Sequence, residues 1–103
     1  MTESERRSCP RHPIHVAVSI TTVDRHDRVG VTRDLSASGL LFHSLSRFQP
    51  GEKVWLVFQA AERANCATGE VVRAAQDPHE TSLLRYLTAV RFDAPIELAL
   101  DQA

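Results

Sequence analysis

The chain is poor in the features that define several common protein classes. Its 103 residues include only two cysteines, Cys9 and Cys66, and no CxxC pair, which excludes a disulfide framework and the usual zinc spacings. No apolar run approaches the roughly 20 residues that a transmembrane helix needs, and no apolar signal-peptide core follows the N-terminus. We therefore expect a cytoplasmic protein with free thiols and no membrane insertion.

Lysine is almost absent, since Lys53 stands against eleven arginines. Twelve basic and thirteen acidic residues leave a net charge of −1, and this balance excludes the broad basic surface that nonspecific DNA or RNA binding requires. Three of the arginines, Arg6, Arg7 and Arg11, are nevertheless clustered. Because a guanidinium binds planar anionic groups in a bidentate way, this cluster predicts a small anionic partner, although a solvated tail would have the same composition.

Motifs of catalysis are also missing. No HExxH or GxSxG motif is present, and nothing in the sequence ties a histidine to Ser36 or Ser38. The sequence therefore predicts no enzyme, no metal site and no cofactor. The five histidines are scattered and are interpreted as surface residues: His12, His15, His26, His43 and His79.

What the chain does have is strand periodicity. Apolar residues alternate with polar ones between turn signals, a pattern typical of an all-β barrel or sandwich. In an unbroken register Arg33 would share the inward face of its strand with Val29, Val31 and Leu35. Because burial of an unpaired arginine is costly, we expect a bulge or an open barrel end there. Val54, Leu56 and Phe58 alternate with Trp55 and Val57, so both faces of that strand are apolar and it should be central or covered by another element. The predicted strands are 14–20 (extending to Thr22), 29–35, 39–44, 54–58, 66–75 and 83–92, with at most one helical turn at 96–100.

A polar turn joins the second and third of these strands. Asp34 and Ser36 lie two residues apart and share a face in extended geometry, and Gly39 offers positive φ or close approach of another group. Taken alone, this is an ordinary strand, turn and strand.

Together, Arg7-x-x-x-Arg11 before the first strand and Asp34-x-Ser36-x-x-Gly39 after the second resemble the PilZ domain family, and the resemblance extends from Arg6 to Phe92. It implies a six-stranded antiparallel β-barrel of PilZ type over residues 9–95, with a flexible tail at 1–8 and a short C-terminal tail at 96–103. It further implies a receptor for the bacterial second messenger cyclic di-GMP. The residues it assigns to that ligand are Arg7, Arg11, Asp34, Ser36 and Gly39, with Arg6 a candidate third arginine.

The chemistry of these residues suits such a ligand. Arginine forks bind phosphate or the O6/N7 edge of guanine, and a carboxylate accepts from guanine N1–H and N2–H. The expected output is closure of the arginine loop, read by an unidentified protein partner, with Cys9 and Pro10 stiffening that loop. The alternative is a PilZ-like adaptor that binds proteins and no nucleotide, although adaptors of this kind typically lose one of the two motifs.

Overall fold

A computed structural model describes residues 12–60 and 62–96 of the chain. Over these residues the protein consists of strands and connecting turns, with no helix. The strands are β1 (His12–Pro13), β2 (Ala17–Thr21), β3 (Arg28–Leu35), β4 (Gly39–Ser44), β5 (Lys53–Ala60), β6 (Arg63–Gln76) and β7 (Tyr86–Phe92).

Six of the strands close into an antiparallel barrel. The hydrogen-bonded order is β3-β2-β5-β6-β7-β4, and pairing of β4 with β3 completes the ring. The two-residue β1 adds to β3 beyond the end of β2. The predicted six-stranded barrel is thus confirmed, with β1 as an additional short strand.

The core is made by alternate residues of these strands. On β5, Val54, Leu56 and Phe58 are buried, as the alternation predicts. Phe48 enters from the β4–β5 loop and meets Phe42 edge to face at 5.8 Å between ring centroids. The remaining buried apolar residues are Val18, Ile20, Leu35, Leu40, Ala60, Val71, Val90 and Phe92.

The first strand of regular pairing begins later than predicted, at Ala17 rather than Ile14, and ends at Thr21. Ile14 and Val16 still pack against the core, so their predicted face is correct. The ladder is interrupted because the side chain of Thr32 takes the place of a backbone partner: its hydroxyl accepts from the Val16 amide at 2.9 Å and donates to the Ile14 carbonyl.

The prediction for the inward face of β3 is wrong in its first half. Gly30 and Thr32 are buried, whereas Val29 lies outward. A glycine faces inward here because a Cβ at Gly30 would lie 2.7 Å from the His43 carbonyl oxygen and 3.0 Å from the Phe42 ring. A bulge between Thr32 and Asp34 then leaves Arg33 outside, which confirms one of the two alternatives for this arginine.

The outer face of β5 is apolar and uncovered by any other described residue. Trp55 and Val57 are each 46% exposed although β5 lies between β2 and β6. The prediction that β5 is central is correct, and the alternative of a covering element finds no counterpart among residues 12–60 and 62–96.

Two boundaries also differ. The β5–β6 connection is a tight turn, because Ala60 already pairs with Arg63, where a connector of seven residues was expected. The last strand begins at Tyr86 rather than Leu83. The predicted C-terminal helical turn lies outside the described residues, apart from Ile96.

Replacing Thr88 by valine should stabilise the protein. Thr88 is fully buried on β7, and its Oγ1 has no hydrogen-bond partner within the described structure. An isosteric methyl group removes the cost of burying an unpaired hydroxyl, so we expect a gain of about 1 kcal/mol in the free energy of unfolding, measured by urea denaturation.

Thr22→Val is the matched control for this measurement. Thr22 is equally buried, but its Oγ1 accepts a hydrogen bond from the Arg25 amide at 3.1 Å. The same substitution should therefore destabilise the protein at position 22. A loss of stability in Thr88→Val as well would contradict the unpaired state of its hydroxyl.

Candidate functional site

The chain enters the barrel alongside the polar motif. His12 is paired with Leu35 and Pro13 with Asp34, and the Ile14 amide donates to the Arg33 carbonyl at 3.1 Å. The arginines predicted as ligands, Arg6, Arg7 and Arg11, precede His12 in the sequence and lie outside the described residues.

Asp34 lies at the end of β3, on the outer surface. Its strand partner is Leu41, and its neighbour Leu35 points into the core. The Asp34 side chain is partly buried and makes no hydrogen bond or ion pair with the described residues. Its position offers an anionic acceptor next to the entry of the N-terminal segment.

Ser36 belongs to the turn itself. The side chain is buried, and its Oγ accepts from the Ser38 amide at 3.2 Å and lies 3.2 Å from the Ser38 hydroxyl. The Ser36 amide donates to the Gly39 carbonyl at 2.9 Å. Ser36 therefore stabilises the turn that follows Asp34, and a direct contact of its hydroxyl with a ligand stays a prediction.

Gly39 is required by the packing of two strands. A Cβ at this position would lie 2.5 Å from the carbonyl oxygen of Val90 on β7. Sequence reasoning expected a close approach of another group to Gly39, and the structure identifies the Val90 backbone as that group. Contact between Gly39 and a ligand stays a prediction.

A charged cluster that sequence reasoning missed lies beside the motif. The Asp77 carboxylate, at the start of the β6–β7 loop, accepts from His43 Nε2 at 3.1 Å and lies 4.0 Å from Arg33 Nη1. The hydrogen bond from His43, followed by that from the His79 amide, holds the pKa of Asp77 below its ordinary value. His43 thus lies outward as predicted, but it is largely covered by this contact.

The cluster borders an open groove of about 400 Å³. The groove runs between the outer surface of β3 and β4 and the β6–β7 loop, and its lining is rich in imidazole and carboxylate groups. The imidazole and charged groups in the lining include those of Arg33, His43, Asp77, His79 and Glu80. No group of three metal-ligating side chains is present in the described ranges, and no helix found there has the length and apolarity needed to cross a membrane.

Comparison with known proteins agrees with this architecture. The sequence model described as PilZ domain matches residues 5–102. Among solved structures, the inhibitor of motility MotI/DgrA of Bacillus subtilis superposes with a TM-score of 0.72 at 21% identity, over 88% of this chain. The aligned region is 44% of that chain, so the protein corresponds to less than half of it. No curated protein sequence matches.

Proposed function

Because the chain belongs to the PilZ domain family, we propose that it is a receptor for cyclic di-GMP whose ligand lies across the end of β3. The proposed ligand-binding residues are Arg7, Arg11, Asp34, Ser36 and Gly39, with Arg6 as a candidate third arginine. Their bound arrangement is presented to a protein partner.

One observation carries this proposal. The pairing of His12–Pro13 with Leu35–Asp34 places the residues that directly follow Arg11 in the sequence next to the Asp34 motif, although the paired residues are more than twenty positions apart. This supports a site in which the arginines supply cations for phosphate and the Asp34 carboxylate accepts from the N1–H and N2–H donors of guanine.

The short pairing of β1 supports a proposal for how the ligand signal reaches a partner. The arginines precede β1 in the sequence, and β1 is held to β3 by only two paired positions. Closure of the arginine segment over a bound ligand changes the surface beside β3, which is the output that the sequence predicts. Ordering each residue costs about 1–2 kcal/mol of backbone entropy, so the affinity is expected to be moderate.

A second candidate function is an adaptor that binds a protein and no nucleotide. The exposed apolar pair Trp55 and Val57 favours it, since an uncovered tryptophan on a sheet face is typical of protein contact surfaces. The structural roles of Ser36 and Gly39 in the turn also fit a motif kept for folding alone.

Titration calorimetry with cyclic di-GMP, cyclic di-AMP and GTP separates the two functions. We expect heat with cyclic di-GMP and none with cyclic di-AMP, because adenine carries an amino donor where guanine has the O6 acceptor. GTP presents one guanine instead of two, so its binding should be much weaker. A saturating ligand should also raise the melting temperature by mass action. Absence of binding to all three by folded protein would support the adaptor.

Arg11→Ala and Asp34→Ala should each weaken cyclic di-GMP binding by about ten- to a hundredfold, the effect of one lost charge-assisted hydrogen bond. Arg28→Ala and Asp24→Ala are matched controls, because both side chains are exposed and lie at or before the start of β3, at the opposite end of that strand from the motif. The measurement is calorimetry, with circular dichroism to check the fold. A variant that loses its β-sheet signal would instead identify a structural residue.

A further inference from the structure

The bulge in β3 places an arginine and a carboxylate side by side on the outer surface. Thr32 and Leu35 both point into the core, and the two residues between them, Arg33 and Asp34, both lie outside. A regular strand alternates its faces and could not present two successive outward residues. The register shift therefore brings the Arg33 guanidinium to the same outer surface as the Asp34 carboxylate.

This pair complements the edge of guanine. A carboxylate accepts from the adjacent N1–H and N2–H donors, and a guanidinium fork donates to the O6 and N7 acceptors that follow them around the base. Adenine presents no such order of donors and acceptors. An aspartate and an arginine next to each other are therefore suited to recognise guanine.

The Arg33 guanidinium is directed towards the β6–β7 loop. Its Nη1 lies 4.0 Å from Asp77 Oδ2, and the Arg33 side chain is 50% exposed. A surface ion pair of this length is weak and costs little to break. Asp77 keeps stronger partners without it, because His43 and the His79 amide donate to it at 3.1 and 3.0 Å.

We propose that Arg33 is a further ligand-binding and specificity-determining residue, which in the free protein contacts Asp77 and in the complex moves to a guanine of the ligand. The inference rests on the proposed cyclic di-GMP function and deepens it. Asp77 acts as an internal competitor for the arginine. When the ligand binds, the contact between Arg33 and Asp77 breaks, and this change at the site alters the β6–β7 loop.

The β6–β7 loop should respond to the loss of this contact, because Asp77 also makes hydrogen bonds within the loop. The His79 amide donates to the Asp77 carboxylate, and the Asp77 amide donates to the Arg85 carbonyl at 2.7 Å. Near the tip, Leu83 is 69% exposed. Asp77 therefore holds the base of the loop that carries this exposed apolar residue.

A double-mutant cycle at positions 33 and 77 tests the proposal by calorimetry with cyclic di-GMP. Arg33→Gln should weaken binding by about tenfold through the lost charged donor. Asp77→Asn removes the competing charge, while its Oδ1 can still accept from the His79 amide and its Nδ2 can donate to the His43 ring in the other tautomer; it should tighten binding by about two- to fivefold. In the Arg33→Gln background, Asp77→Asn should have no effect, because the competitor then has nothing to release.

Glu80→Gln is the matched control, since it removes an equal charge from the same groove and Glu80 makes no ion pair with Arg33 in the described structure. It should leave the affinity unchanged. The competition would be overturned if Glu80→Gln raised the affinity for cyclic di-GMP as much as Asp77→Asn does. It would also be overturned if Asp77→Asn raised the affinity in the Arg33→Gln background, because net charge alone would then explain the effect. Arg33→Lys, which keeps the charge and loses the fork, should be intermediate.

A second readout follows the loop. Cyclic di-GMP should shift the NMR amide resonance of His79 in the wild-type protein and leave it unchanged in Arg33→Gln at saturation. If the wild-type protein binds cyclic di-GMP and Arg33→Gln binds equally well, this inference fails and the receptor function stands. If the wild-type protein does not bind, the receptor function fails and the inference falls with it.

Discussion

Thr32→Val should lower the free energy of unfolding by about 2–4 kcal/mol, although the substitution preserves shape. The buried Thr32 hydroxyl accepts from the Val16 amide and donates to the Ile14 carbonyl, and valine leaves both groups without a partner at a cost of about 1–3 kcal/mol each. Urea denaturation measures the loss. Because these bonds fasten the segment before β2 to β3, the variant should also bind cyclic di-GMP more weakly.

Thr32→Ser is the control, as it retains the hydroxyl and removes only a methyl group. It should recover most of the stability and of the affinity. Hydrogen exchange supplies a local check, because the Val16 amide should lose its protection in Thr32→Val and keep it in Thr32→Ser. A protected Val16 amide in the valine variant would show that the hydroxyl does not support this segment.

Gly39→Ala is expected to destabilise the ligand-free protein by about 3 kcal/mol. The added methyl group would meet the Val90 carbonyl oxygen, and relief requires β4 and β7 to separate where they are hydrogen-bonded. Thermal and urea unfolding without ligand measure the effect. The result separates two reasons for glycine in this motif, strand packing and room for a ligand.

Ser38→Ala, in the same turn, provides the comparison. It removes one hydroxyl contact at 3.2 Å and adds no atom, so a loss of at most about 1 kcal/mol is expected. If Gly39→Ala left the stability of the free protein intact and lowered only its affinity, the ligand rather than Val90 would explain the glycine.

Much of the barrel could be predicted from alternation because burial of one face fixes the register of a strand. The strand 39–44 and the inward residues Val54, Leu56 and Phe58 were predicted correctly. The inward face of β3 was not, because the valines at 29 and 31 have the alternation of a core face. The glycine at position 30 faces inward because His43 and Phe42, on another strand, leave no room for a side chain.

The site could be predicted in composition but not in geometry. The motif residues Asp34, Ser36 and Gly39 were identified from their spacing, whereas the roles of Ser36 in its own turn and of Val90 behind Gly39 depend on contacts between distant residues. The residues Arg33, His43 and Asp77 lie on β3, on β4 and in the β6–β7 loop, so their proximity cannot be predicted from the spacing of residues in the sequence. The two-residue β5–β6 turn was missed because its sequence carries no glycine, proline or asparagine at the bend.

Closure of the barrel restricts how this protein can be recognised. Each of the six barrel strands has a neighbour on both sides, but β6 is longer than its partners: β7 joins it only from Gly69 onward, and Arg63–Ala67 are paired with β5 alone. A partner that adds a strand finds a backbone edge there, whereas β1 offers two residues, of which Pro13 has no N–H. Elsewhere on the described barrel, recognition depends on side chains and loops, among them Trp55 on the sheet face and Leu83 at the β6–β7 loop.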